Sequence, residues 1–284
     1  MKTTTFACAV SAALLGLATS ALHAGSYEGP TGLQLYSLRA DFPKDVPGTL
    51  KYVKSLGFTE VELAGTYNLS AADFKKQLDA NGLVPVAAHF PFDKLRDDPE
   101  GVAREAVALG LKYAGCAWIP HKAPFDEKQC RAAAAVFNRA GAVFAKHGLK
   151  CFYHCHGYEF YPHGKGTLFD LLLAETDPKL VTFEMDILWV VFPGHDPVKL
   201  FEKYSDRWEL VHLKDLKKGV KTGELTGHTD VKNDVALGTG QMDYSAILRA
   251  ARKAGVKHYF IEDESPSVRD QLPRSLEFLK QVAW

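Results

Sequence analysis

The sequence predicts a single (β/α)8 barrel, and three observations carry that expectation. From Thr31 onward, short apolar, β-branched or aromatic runs alternate with segments of helical period. Eight such strand-then-helix units occupy one stretch of chain, of the size of about 250 residues that one barrel takes. Several helical segments close on Leu-Gly, Asn-Gly, His-Gly or Ala-Gly, where glycine accepts the left-handed conformation that stops a helix. Parallel neighbours need helical crossovers, and eight strands close without leaving an edge. A doubly wound open sheet is the competing fold. It calls for a Gly-rich phosphate turn after the first strand, where this chain has QLYSLRADFP.

Lys2, the apolar run Phe6–Leu22 and the small residues around Ala24 read as a secretory leader over 1–24, cleaved to release one barrel domain over 25–284. The expected strands are 32–38, 60–64, 85–90, 113–119, 150–156, 181–188, 209–215 and 258–264. The amphipathic segments between and after them begin near residues 48, 70, 99, 126, 167, 197, 244 and 268. Gly219–Asp234 is polar and long for a barrel loop, and is expected to be a lid or an oligomer contact. Gly238-Thr239-Gly240 lacks the setting of a dinucleotide turn and is expected to shape a loop.

Composition narrows the partners. The chain carries 34 basic and 34 acidic side chains, so it lacks the basic excess that holds nucleic acid. Beyond the leader no stretch is apolar enough to span a bilayer, which makes the expected location periplasmic or secreted. Cys116, Cys130, Cys151 and Cys155 remain after cleavage; buried thiols are one expectation and a Cys130–Cys155 bridge the other.

In such a barrel the active site is built at the C-terminal ends of the strands. Ionisable residues fall there on four consecutive strands. Alternation pairs His154 with His156, Glu184 with Asp186, His212 with Lys214 and Glu262 with Glu264 on common faces. Burying so many charges costs too much unless they are paired or share a cation. An oxygen and imidazole set of this kind suits one divalent ion, Mn²⁺, Mg²⁺, Co²⁺ or Zn²⁺, with open positions for substrate. His89, Glu62, Gln34 and Tyr36 are candidate hydroxyl partners, Lys214 a partner for a hydroxyl or carboxylate, and Trp189 a platform for a sugar face.

The segments GLQLYSLR, YHCHGYEF, FEMDILWV followed by GHDPV, LVHLKD and LGTGQMDYSAIL resemble those of the xylose-isomerase-like superfamily of sugar isomerases and epimerases, in a secreted or periplasmic branch. The resemblance spans nearly the whole chain after the leader. It implies one divalent ion held by Asp186, His212 and Glu262, with His154 at the first ligand position, where epimerases of the superfamily have glutamate. Their two ligand glutamates also move protons on opposite faces of the substrate. Here Glu262 keeps that role, while the second is expected from His154 or from Glu159 swinging in; His156 and Glu184 complete the expected substrate contacts.

The implied function is isomerase- or epimerase-like proton transfer beside a sugar carbonyl. A lyase or hydratase acting on oxidised, 3-keto glycosides is the alternative, because elimination needs only one base. A non-catalytic secreted sugar-binding barrel is a third reading. The expected partner is a small carbohydrate, with self-association possible.

Overall fold

In the computed structural model, residues 27–282 and 284 are described, and the expected leader lies outside them. Eight parallel strands close a barrel: β1 Thr31–Gln34, β2 Glu60–Leu63, β3 Val84–His89, β4 Tyr113–Cys116, β5 Lys150–His154, β6 Val181–Asp186, β7 Trp208–Leu213 and β8 His258–Ile261. Each pairs in parallel with its sequence neighbours, and β1 closes onto β8. The closed order excludes the doubly wound sheet. Among the described residues no helix is long and apolar enough to cross a membrane.

Helices return the chain outside the barrel and begin on side-chain caps. Asp126 and Thr167 each form a reciprocal capping box, and Asp45, Ser70, Asp98, Asp196 and Asp243 accept from backbone amides in the first turn. Gly110 ends its helix at φ +74°, a conformation that costs a side-chain-bearing residue dearly.

The strands stop earlier than the apolar runs do. The first gives way after Gln34 to a 3-10 turn, Leu35–Leu38, because the Gln34 Oε1 accepts from the Tyr36 amide at 3.0 Å. The sixth ends at Asp186, whose Oδ1 accepts from the Trp189 amide at 3.0 Å and starts the helix Ile187–Val191. Hydrophobicity continues past both points, but the backbone has left the ladder.

Alternation along the strands builds layers inside the barrel. Phe152, Leu210 and Phe260 join Val86, Ala87 and Tyr113 in an apolar layer, and the residues two positions further on are His154, His212 and Glu262. The polar mouth therefore rests on an apolar floor. Gly32 makes room for that floor, since a Cβ there would lie 2.4 Å from the Phe260 ring. Tyr153 points the other way, onto Phe137 in the surrounding helices. All four described cysteines are free and buried; the Cys130 thiol donates to the Leu168 carbonyl and Cys155 lies against the Asp186 backbone, so the expected bridge does not form.

Candidate active site

The mouth opens into a cavity of about 580 Å³. Its charged end is lined by His154, Lys214, Asp234, Glu262 and Glu264, its aromatic end by Trp118, His156, Trp189 and His228. Asp186 and His212, both fully buried, support the charged end.

Four donor atoms converge there. The His154 Nε2 lies 3.1 Å from His212 Nδ1 and 3.3 Å from Asp186 Oδ2, and His212 Nδ1 lies 3.1 Å from Glu262 Oε2. All four groups offer a ligand atom within 4.8 Å of one another. Bonds of about 2.1 Å set neighbouring ligand atoms about 3.0 Å apart in octahedral and about 3.4 Å apart in tetrahedral coordination, so two imidazoles and two carboxylates at these spacings fit a divalent cation, and the octahedral arrangement leaves two positions for substrate oxygens. The parallel pairing of β6 and β7 puts Asp186 beside His212, and that of β5 and β6 puts His154 beside Glu184.

Below this set lies a second one. His212 Nε2 is 2.5 Å from Glu62 Oε2 and 3.3 Å from Glu184 Oε2, and His89 Nε2 is 3.1 Å from Glu184 Oε2. Gln34 donates to Glu62 Oε2 at 2.7 Å. Glu62 and Glu184 are wholly buried and are support for His212 and His89 rather than cavity wall. Burial alone would lower the basicity of His212, but Glu184, Glu62 and Glu262 push it well above the ordinary histidine value. For His89, Glu62 and Glu184 likewise outweigh burial and raise it.

Lys214 carries the site's ammonium. Its Nζ donates to Glu262 Oε2 at 3.0 Å and Glu264 Oε1 at 2.6 Å, with Asp234 Oδ2 at 3.6 Å and Asp186 Oδ2 at 3.8 Å. Burial works against the charged amine, yet these carboxylates hold its pKa well above the usual value. Burial also opposes ionisation of Glu262 and Asp186; Lys214, with His212 and His154, overcomes it and holds both below the usual carboxylate range.

Glu159 is placed elsewhere. Gly157 takes φ +97° and turns the chain, so that Glu159 Oε1 accepts from Tyr153 Oη and from the His156 amide, behind β5. It does not line the cavity. Burial raises its carboxyl to about 7 against the lowering effect of those hydrogen bonds. The expectation that it swings in as a second carboxylate has no geometric support. His156, by contrast, lines the mouth stacked on Trp189 at 4.5 Å, and burial followed by the nearby His154 lowers its pKa to about 3, so the ring is neutral.

The polar segment 219–234 folds back over the opening. Asp215–Leu216 pairs antiparallel with Asp234–Val235, and between them Gly227, His228, Thr229 and Val231 reach the cavity. The Gly238–Gly240 turn does not line the cavity; its Gly238 and Gly240 amides donate to Asp215 Oδ2 at 2.8 and 2.9 Å. Trp118 and Asp234 are cavity residues that sequence reasoning did not single out. Their only signal is position, just after a strand and at the end of a long polar loop.

The model of the xylose isomerase-like TIM barrel family matches residues 50–282, and the chain belongs to that family. It is 25% identical over 258 residues to an inosose dehydratase of Bacillus anthracis, an alignment covering 80% of this chain and 85% of that one. A crystal structure of a sugar phosphate isomerase/epimerase from Parabacteroides distasonis superposes with a TM-score of 0.75 at 25% identity, covering 92% of this chain and 98% of the other. The IOLI protein, whose structure holds a zinc atom, shares the fold with a TM-score of 0.67 at 14% identity, over 89% of this chain and 95% of its own.

Proposed function

We propose that the protein is a divalent-metal-dependent lyase that removes a proton beside the ketone of a sugar derivative and expels the oxygen substituent one carbon further on. The observation that carries this reading is the pair Glu262 and Lys214, a carboxylate and an ammonium 3.0 Å apart at the charged end of the cavity. Elimination needs one base and one acid, and this pair supplies both. Epimerisation needs two groups on opposite faces of the substrate; at the strand-five position the chain has His154, and Glu159 is turned away. The curated relative that dehydrates an inosose is in keeping with elimination.

His154, Asp186, His212 and Glu262 would hold the metal. When bound, the ion polarises the carbonyl and acidifies the neighbouring C–H. The Glu262 carboxylate takes that proton. The electron pair left on carbon forms the C=C bond as the C–O bond breaks, and Lys214 Nζ delivers a proton to the departing oxygen. Glu262 then passes the proton it took from carbon to Lys214 across the 3.0 Å between them, which restores both groups, while Glu264 keeps the amine in place. His89, resting on Glu62 and Glu184, offers a contact to a ring hydroxyl at the same end.

The second reading is isomerisation, supported by the likeness to the sugar phosphate isomerase/epimerase. Turnover of keto-sugars in D2O followed by NMR and mass spectrometry separates the two. Elimination yields an unsaturated product that has lost water or an alcohol. A product of the substrate's composition carrying one deuterium on carbon would establish isomerisation instead.

A further inference from the structure

The cavity is larger and less uniform than one sugar ring requires. Its volume of about 580 Å³ falls within the roughly 300–1,000 Å³ of sites that bury drug-sized ligands, whereas a hexose has only twelve non-hydrogen atoms. A ring seated among His154, Lys214 and Glu262 therefore leaves much of the space unfilled, and that remainder is walled by rings.

From the ligand His154 these rings succeed one another outward. His154 and His156 have centroids 5.7 Å apart, His156 and Trp118 5.0 Å, and Trp118 and His228 5.2 Å, while Trp189 backs His156 at 4.5 Å. Neighbours fix their planes: Trp118 packs edge-on against Tyr158 at 4.7 Å, and the Tyr158 hydroxyl accepts from the Ile119 amide at 2.8 Å. The covering loop is fitted to this wall. At Gly227, φ +69°, a Cβ would lie 2.9 Å from the Tyr158 ring and 3.1 Å from Trp118, so only glycine lets the loop come this close and carry His228 onto the Trp118 face. Flat ring surfaces of this kind recognise the face of a ring.

We propose that Trp118, His156, Trp189 and His228 form a second subsite that binds a ring-bearing leaving group, so that the substrate is a keto-sugar glycoside rather than a free keto-sugar. This rests on the elimination reading above and specifies its leaving group. For a sugar oxidised at C3, Glu262 takes the C2 proton, the C1–O bond breaks as the C1=C2 bond forms, and Lys214 protonates the departing oxygen, whose ring lies among Trp118, His156 and His228.

Binding of unoxidised methyl β-glucoside and phenyl β-glucoside to the metal-loaded protein, measured by calorimetry, tests the subsite without turnover. Wild type is expected to bind the phenyl glycoside about tenfold more tightly. That ratio should fall to about threefold or less in Trp118→Ala and in His228→Ala; the second change lies on the loop, is exposed, and guards against a folding defect in the first. A wild-type ratio near one, no binding of either glycoside, or a ratio kept in both variants overturns the subsite. Elimination from methyl 3-keto-glucoside, followed separately, keeps the two proposals apart. Elimination without the affinity ratio removes the subsite alone, and the ratio without elimination or proton exchange removes the lyase reading alone.

Discussion

His212 is held from below by Glu62, with its Nε2 2.5 Å from Glu62 Oε2, while its Nδ1 faces Glu262 and His154. One imidazole thus joins the donor set to a buried carboxylate that Gln34 in turn steadies. A carboxylate bonded to the far nitrogen of a ligand histidine fixes its tautomer and raises its basicity.

Glu62→Gln is accordingly expected to weaken metal binding by about tenfold to a hundredfold. Chelator competition measures it. Unchanged affinity would reduce Glu62 to a packing residue.

Removing a ligand is a harsher change. The protein expressed from residue 25 should carry about one divalent ion per chain by elemental analysis, and His212→Ala and Asp186→Ala should each lose the ion and the activity together, as a site relying on few ligands requires. Wild-type protein that takes up no Mn²⁺, Co²⁺ or Zn²⁺ would end the metal-dependent reading.

Lys214→Gln separates the two proton transfers. Hydrogen–deuterium exchange beside the ketone should persist, since Glu262 remains, while release of the leaving group slows by roughly 10²–10⁴-fold. The buried carboxylates left facing a neutral amide should also cost on the order of 3–5 kcal/mol in stability, read from denaturant unfolding. Equal loss of exchange and release would place Lys214 in binding instead of acid catalysis.

Glu159 gives a pH dependence of stability. Its carboxyl is raised from 4.5 to about 7 in the fold, so below pH 4.5 it is protonated in both folded and unfolded chains and has no effect. Between pH 4.5 and 7 the unfolded chain has released the proton and the folded one retains it. Stability therefore falls as pH rises, and levels off above 7 after a loss on the order of 3 kcal/mol. Glu159→Gln removes this slope. Melting temperatures at pH 5 and pH 8 should converge for the two proteins at the acid end and favour the variant at the alkaline end. A wild type that keeps pace with the variant at pH 8 would contradict the buried, half-neutral carboxyl.

Much of this geometry can be read from side-chain alternation, which sets His154, His212 and Glu262 two residues beyond the apolar Phe152, Leu210 and Phe260. Period two holds only while the ladder does. Glu159 escapes it because Gly157 turns the backbone behind β5, and a left-handed glycine leaves no trace in a hydrophobic pattern. Lys214 lies one residue past β7 and still lines the mouth, but no periodicity discloses that four carboxylates surround it. Trp118 and His228 meet across separate loops, 110 positions apart in the chain, beyond the reach of any local signal. The disulfide expectation failed for a related reason: spacing does not say that the Cys130 thiol is already turned to the Leu168 carbonyl.

The loop that carries His228 over the mouth is pinned at its return by Asp234, which pairs in the short ladder with Leu216 and faces Lys214. Asp234 thereby ties the loop that borders the cavity to the ammonium at its charged end. Loosening that tie, as Lys214→Gln does, is therefore expected to be felt at His228 on the loop as well as at the charged end.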